Sequence, residues 1–146
     1  MTVKTIQVND TLTSASQPSL EEIARLRDQG YTTFVNCRPD GEDGDQPGDA
    51  AERAAAEAAG LTYHHIPVTG PTITEADIRA FSRAFSAAAG AGAKVFGHCK
   101  GGGRPVALWA LGEVLDGRLS AGDLDATGDR LGVDLKAAKD WLTRSR

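Results

Sequence analysis

Val95-Phe96-Gly97-His98-Cys99-Lys100-Gly101-Gly102-Gly103-Arg104-Pro105 is the stretch from which the fold can be read. A short apolar, β-prone run leads into a thiol, three glycines, an arginine and a proline, and a mostly apolar segment from Val106 to Leu115 follows. The pattern is that of a strand, a tight loop and the first turn of a buried helix, where a proline's missing N–H costs nothing. Glycines let such a loop take positive φ and bring backbone N–H groups to one spot, and the helix adds the positive end of its dipole there. Cys99 heads the loop, so its thiolate is favoured where it would act as a nucleophile. Arg104 offers a planar fork of donors for two oxygens of an oxyanion. Lys100, Gly101, Gly102 and Gly103 complete the expected anion cradle, suited to attack by Cys99 on a phosphoryl or sulfane-sulfur group.

Upstream, strands and helices alternate. Val3 to Val8 and Thr11 to Ala15 read as strands around an Asn9-Asp10 turn. Ser19-x-x-Glu22 is a capping box opening a helix with Leu20, Ile23 and Leu26 on one face and Gly30 as its stop. Thr32 to Asn36 is a strand that runs into a turn-rich loop, Cys37 to Gly48. An alanine-rich helix from Asp49, its N-cap, to Ala59 precedes a strand from Leu61 to Val68. A helix capped by Thr74 carries the stripe Ile78, Phe81, Phe85 and Ala88, and the strand Ala93 to His98 returns to the cysteine loop. Helices over Ser120 to Arg130 and Leu135 to Arg144 close the chain. This order predicts one three-layer α/β domain: a mostly parallel sheet of four to five strands with helices on both faces. Ligands of such sheets sit beyond the carboxyl ends of the strands, and Cys99 and the Cys37–Glu42 loop both lie at such ends.

Composition narrows the function classes. A chain of 146 residues with a formal charge of -4 is expected to be one domain with no general attraction for nucleic acid or an anionic membrane. No apolar run is long enough to span a bilayer and no signal-like segment opens the chain, so a cytoplasmic location is the expectation. Two cysteines are too few for a disulfide scaffold, and no His/Cys spacing suggests zinc.

His98-Cys99-x4-Arg104 resembles the cysteine signature of the protein tyrosine/dual-specificity phosphatase superfamily. A broader set of segments is similar to one bacterial branch of it: Ser16-Gln17-Pro18, Val35-Asn36-Cys37-Arg38-Pro39-Asp40-Gly41-Glu42, Gln46-Pro47, His65-Ile66-Pro67-Val68 and Leu108-Trp109-Ala110-Leu111. These are small phosphatase-like domains that also occur fused to metallo-β-lactamase-like domains in sulfur-metabolism proteins. The resemblance covers residues 10–115 and leaves the helices of 118–146 without a motif. It implies a metal-independent hydrolase, needing no cofactor, that forms a phosphocysteine on a phosphorylated small molecule or phosphoprotein. Four residues separate Cys99 from Arg104 where the main superfamily has five. Pro105 stands where phosphatase loops usually place Ser or Thr. Both departures keep open a rhodanese-type sulfurtransferase with a Cys99 persulfide, and a catalytically silent oxyanion-binding module.

The expected general acid is Asp77, on the segment before the cysteine strand, although Asp77 is also the third-position partner of the Thr74 cap. Glu75 and Asp40 compete for that role. Arg38 and Asp40 are expected beside the pocket. His98 is expected to orient the loop through a hydrogen bond. Cys37 reads as a buried structural thiol, with a reversible disulfide to Cys99 as the alternative.

Overall fold

A computed structural model describes residues 3–145. Five strands form one sheet: β1 (Thr5–Gln7), β2 (Leu12–Ala15), β3 (Tyr31–Asn36), β4 (Thr62–His65) and β5 (Lys94–His98). Their spatial order is β1-β2-β5-β3-β4, and only β1 runs antiparallel. Six helices surround the sheet: α1 (Leu20–Ala24), α2 (Asp49–Ala58), α3 (Glu75–Gly90), α4 (Gly103–Leu115), α5 (Leu124–Leu131) and α6 (Lys136–Arg144). The architecture is the three-layer α/β domain expected from the strand–helix alternation. No helix among the described residues is long and apolar enough to cross a membrane.

Strand alternation divides the core in two. Ala15, Phe34 and Phe96 face α1 and α2, where Ile23, Leu26 and Ala56 cover them. Leu12, Val35 and Val95 face α3 and α4, and this larger layer also takes in Leu124, Leu135, Ala138 and Trp141 from the C-terminal helices. α4 is buried on almost every side, which is why its sequence carries so little polar face.

Several boundaries differ from the sequence expectation. α1 is regular only to Ala24; residues 25–30 continue as i→i+3 turns, closed by Gly30 at φ +96°. The N-cap of α2 is Gly48, not Asp49, because Asp40 Oδ1 accepts the Asp49 N–H at 2.7 Å and supplies the cap from nine residues upstream. The regular part of β4 ends at His65, since Pro67 has no N–H. Ile66 and Val68 nevertheless still donate to Asn36 and Cys37 and carry the chain along β3. The helix expected from Ser120 opens as a 3-10 turn, Ala121–Asp123, before α5 begins.

Ala15 and Asn36 both pair with His98, so β2, β5 and β3 end level with one another. The residues just past those ends, Ser16-Gln17, Cys99-Lys100 and Cys37-Arg38, therefore share one edge. Because the chain doubles back to insert β5 between β2 and β3, this edge is the topological switch point of the sheet.

Candidate active site

Cys99 follows β5 directly and is almost enclosed, at 2% exposure. Its Sγ accepts the N–H groups of Gly102 at 3.0 Å and Arg104 at 3.4 Å. Gly102 is the N-cap of α4 at φ +100°, and a Cβ there would lie 3.3 Å from the Ala15 backbone. The position thus requires glycine twice over: for the left-handed backbone and for the close approach to β2. The helix begins at Gly103, two residues earlier than Pro105. Arg104 and Pro105 therefore both sit in its first turn, where N–H groups have no helical partner.

The outer side of the loop is tied down at three carbonyls. His98 Nδ1 donates to Cys99 O at 3.1 Å, the Gln17 N–H to Lys100 O at 3.3 Å, and Ser14 Oγ to Gly102 O at 2.5 Å. In a trans peptide the C=O and the following N–H point opposite ways. Each tie therefore aims the next N–H, those of Lys100, Gly101 and Gly103, toward the concave side of the loop.

The side chain of Arg104 is held by two parallel bonds to Glu42, Nη1 to Oε2 at 2.9 Å and Nη2 to Oε1 at 2.8 Å, and by a third from Nη1 to Val68 O at 2.9 Å. A guanidinium has five N–H groups. Three are engaged here, which leaves Nε–H and the second Nη2–H, the side-on fork that takes two oxygens of one oxyanion. Burial alone would weaken the charge of Arg104. The Glu42 carboxylate and the Cys99 sulfur more than offset this, and the guanidinium titrates above free arginine. Its own bond to Arg104, reinforced by Arg38, keeps Glu42 below the usual carboxylate range.

Arg38 and Asp40, expected beside the pocket, both sit inside hydrogen-bond networks. Arg38 is 2% exposed; its Nε meets Glu42 at 3.0 Å, Nη1 meets Gln17 at 2.9 Å and Nη2 meets Asp43 at 2.6 Å. Asp43 in turn holds Lys100 Nζ at 2.8 Å. Asp40 is occupied as the cap of α2. Asp77 is half-buried, its Oδ2 accepts the Thr74 N–H at 2.9 Å, and its charge helps to push the Cys37 thiol upward. Glu75 is exposed, 3.8 Å from Arg79. Cys37 is a free, fully buried thiol raised well above its ordinary value, first by burial and then by the charge of Cys99.

Ser14, Glu42, Asp43 and Glu52 were not singled out as site residues. The signal for Glu42 was present, an acid in the Cys37–Gly48 loop that the topology brings to the cysteine edge. The one for Ser14 was not, since a serine within a strand carries no mark of what it binds.

A parallel switch-point sheet whose central strand delivers Cys99 and Arg104 to a helix N-terminus defines the protein tyrosine/dual-specificity-phosphatase-like structural class. A protein from Neisseria meningitidis, nma1982, superposes with a TM-score of 0.74 at 25% identity over 97% of each chain. The active form of Tk-PTP superposes with a TM-score of 0.73 at 19% identity, over 94% of this chain and 92% of its own. Within that class, residues 5–116 match the family described as beta-lactamase hydrolase-like protein, phosphatase-like domain, and the chain belongs to it. The beta-lactamase hydrolase-like protein of Agrobacterium fabrum is 49% identical over 142 residues. That alignment takes in 97% of this chain but only 32% of the relative, so the chain spans about a third of the length of such proteins.

Proposed function

We propose that the protein hydrolyses phosphomonoesters through a phosphocysteine on Cys99. The observation that carries this reading is the pairing, on one loop, of a sulfur held by two backbone N–H groups with the open side-on fork of Arg104. The Cys99 thiolate attacks phosphorus; an S–P bond forms and the ester P–O bond breaks. The equatorial oxygens are held by the Lys100, Gly101 and Gly103 N–H groups and by Arg104, donors already oriented before charge develops on them. A carboxylic acid protonates the leaving oxygen, and Asp77 is our assignment for it. Glu42 is unsuited, because Arg104 keeps it ionised. Water then attacks the phosphocysteine and gives a proton back to the Asp77 carboxylate; a P–O bond forms, the S–P bond breaks, and inorganic phosphate and the thiolate are released. The substrate is a phosphorylated small molecule or a phosphoprotein.

The test is hydrolysis of an aryl phosphate by the chain and by Cys99→Ser. Loss of about 10³-fold or more in the variant is expected, with a phosphoryl adduct on the Cys99 peptide after acid quench of the parent. Thiocyanate formed from thiosulfate and cyanide, and lost in the same variant, would replace this reading by sulfur transfer through a persulfide. Phosphate binding with neither turnover would replace it by a silent oxyanion module.

A further inference from the structure

Behind the loop, on the α1/α2 face of the sheet, lies a buried carboxyl–imidazole pair that the chemistry above does not use. Glu52 and His98 are both fully buried, and Glu52 Oε1 is 2.5 Å from His98 Nε2. The other carboxylate oxygen, Oε2, accepts from Gln17 Nε2 at 3.2 Å. Each partner of Glu52 is one of the residues that tie a loop carbonyl: His98 through Nδ1 to Cys99 O, and Gln17 through its N–H to Lys100 O. The imidazole is stacked on Phe34, with ring centroids 5.3 Å apart, which fixes its plane.

Proton positions follow from the partners. Cys99 O can only accept, so His98 Nδ1 carries a hydrogen. One further proton lies between Nε2 and Glu52, whichever of the two holds it. Glu52 therefore locks His98 in the orientation that donates to the cysteine carbonyl. A hydrocarbon pair of similar volume would fill the space between Phe34 and Ala56 at no greater cost in stability. An enclosed carboxylate with both oxygens on residues that hold the loop points instead to the loop as its purpose.

We propose that Glu52 is a positioning residue for the oxyanion cradle: through His98 and Gln17 it turns the Lys100 and Gly101 N–H groups toward the bound anion. The proposal rests on reading this loop as an oxyanion site. Glu52→Gln preserves both bonds, since its amide N–H donates to a neutral His98 Nε2 and its amide oxygen accepts from Gln17. Glu52→Ala preserves neither.

Inorganic phosphate is titrated into the full chain and its variants by calorimetry, with urea unfolding of each to establish that it is folded. Glu52→Ala is expected to weaken phosphate about tenfold, the worth of one hydrogen bond to a charged group. Glu52→Gln is expected to stay within about twofold of the parent. Gln17→Ala, which removes the bond to Glu52 Oε2 and the one from Arg38 Nη1 but leaves the Glu52–His98 bond in place, stays informative if Glu52→Ala does not fold and is expected to weaken phosphate about threefold. A folded Glu52→Ala, or Gln17→Ala, with parental affinity overturns the proposal. So does a folded Glu52→Gln as weak as Glu52→Ala, because charge and not hydrogen bonding would then be at work. Absence of phosphate binding by the parent would instead remove the oxyanion reading itself, a failure distinct from that of Glu52.

Discussion

The Glu42 carboxylate lies between two guanidinium groups, 3.0 Å from Arg38 and 2.8 Å from Arg104. Arg38 is buried, and a buried charge must be paired to be tolerated, so the loop that carries Glu42 and Asp43 is held where it serves both arginines. Arg104 and then Arg38 lower the Glu42 carboxyl below its value in the unfolded chain, and Lys100 and Arg38 do the same for Asp43. A carboxyl lowered on folding contributes stability that is complete above its unfolded value, about 4.3 for Glu, and is lost as pH falls through the folded one. Stability measured by urea unfolding should therefore show a limb that declines below about pH 4.3, separate from the loss that His64, lowered by burial, adds below about pH 6.5. Glu42→Gln should make that acid limb shallower without abolishing it, because Glu22, Asp49, Asp116 and Asp123 are lowered as well. An acid limb of parental steepness in Glu42→Gln would show that the carboxylate is not held by its arginines.

At the scale of elements, α5 and the turn after it meet at one glycine. A Cβ on Gly128 would lie 2.5 Å from the carbonyl oxygen of Val133, backbone that is itself pinned by a 2.9 Å bond from the Val133 N–H to Gly128 O. Neither side can give way. Overpacking then outweighs the gain in helix propensity, and Gly128→Ala should cost about 1–2 kcal/mol in urea unfolding. Gly90, at the end of α3 with nothing within 4 Å of its Cβ position, is the control; Gly90→Ala should be neutral or slightly stabilising. Equal stability of the two variants would refute the clash. The same contrast between local and distant partners decides what could be read from sequence. The cysteine loop was legible because strand, thiol, glycines, arginine and helix start are contiguous in the chain. α2 was legible as a helix, but nothing contiguous with Glu52 marked it as a site residue. Its position was still a signal: Glu52 and Ala56 are the buried residues of α2, four apart and on one face, and a carboxylate on a buried face needs a partner. That the partner is His98, forty-six residues on, depends on β5 lying beside β3, which no local pattern states. Arg38 was expected beside the pocket; its partners Glu42 and Asp43 belong to its own loop, and the one that no local pattern stated is Gln17.

At the scale of the molecule, the match to the family ends at residue 116 while the core does not. Leu124 and Ala138 are fully buried and Leu135 and Trp141 nearly so, all in the layer that contains Cys99 and the apolar side of α4. α6 also packs on the segment between β4 and α3: Arg144 Nη2 reaches Gly70 O at 3.4 Å, and Ala137 lies 3.3 Å from where a Gly70 Cβ would stand. That segment begins just after Val68, whose carbonyl holds Arg104. The two C-terminal helices thus complete the core and brace an acceptor of the site arginine. Burying three large apolar side chains is worth about 1.5–3 kcal/mol each, so about 5–9 kcal/mol depends on them. This is comparable to the whole stability of an ordinary domain, about 5–15 kcal/mol. A chain ending at Gly117 should accordingly lose its cooperative urea transition, bind an apolar dye at neutral pH and fail to bind inorganic phosphate. If that shortened chain unfolded cooperatively at the parental midpoint and kept its phosphate affinity, residues 118–146 would be an appendage, and Arg104 would owe its placement to residues 5–116 alone.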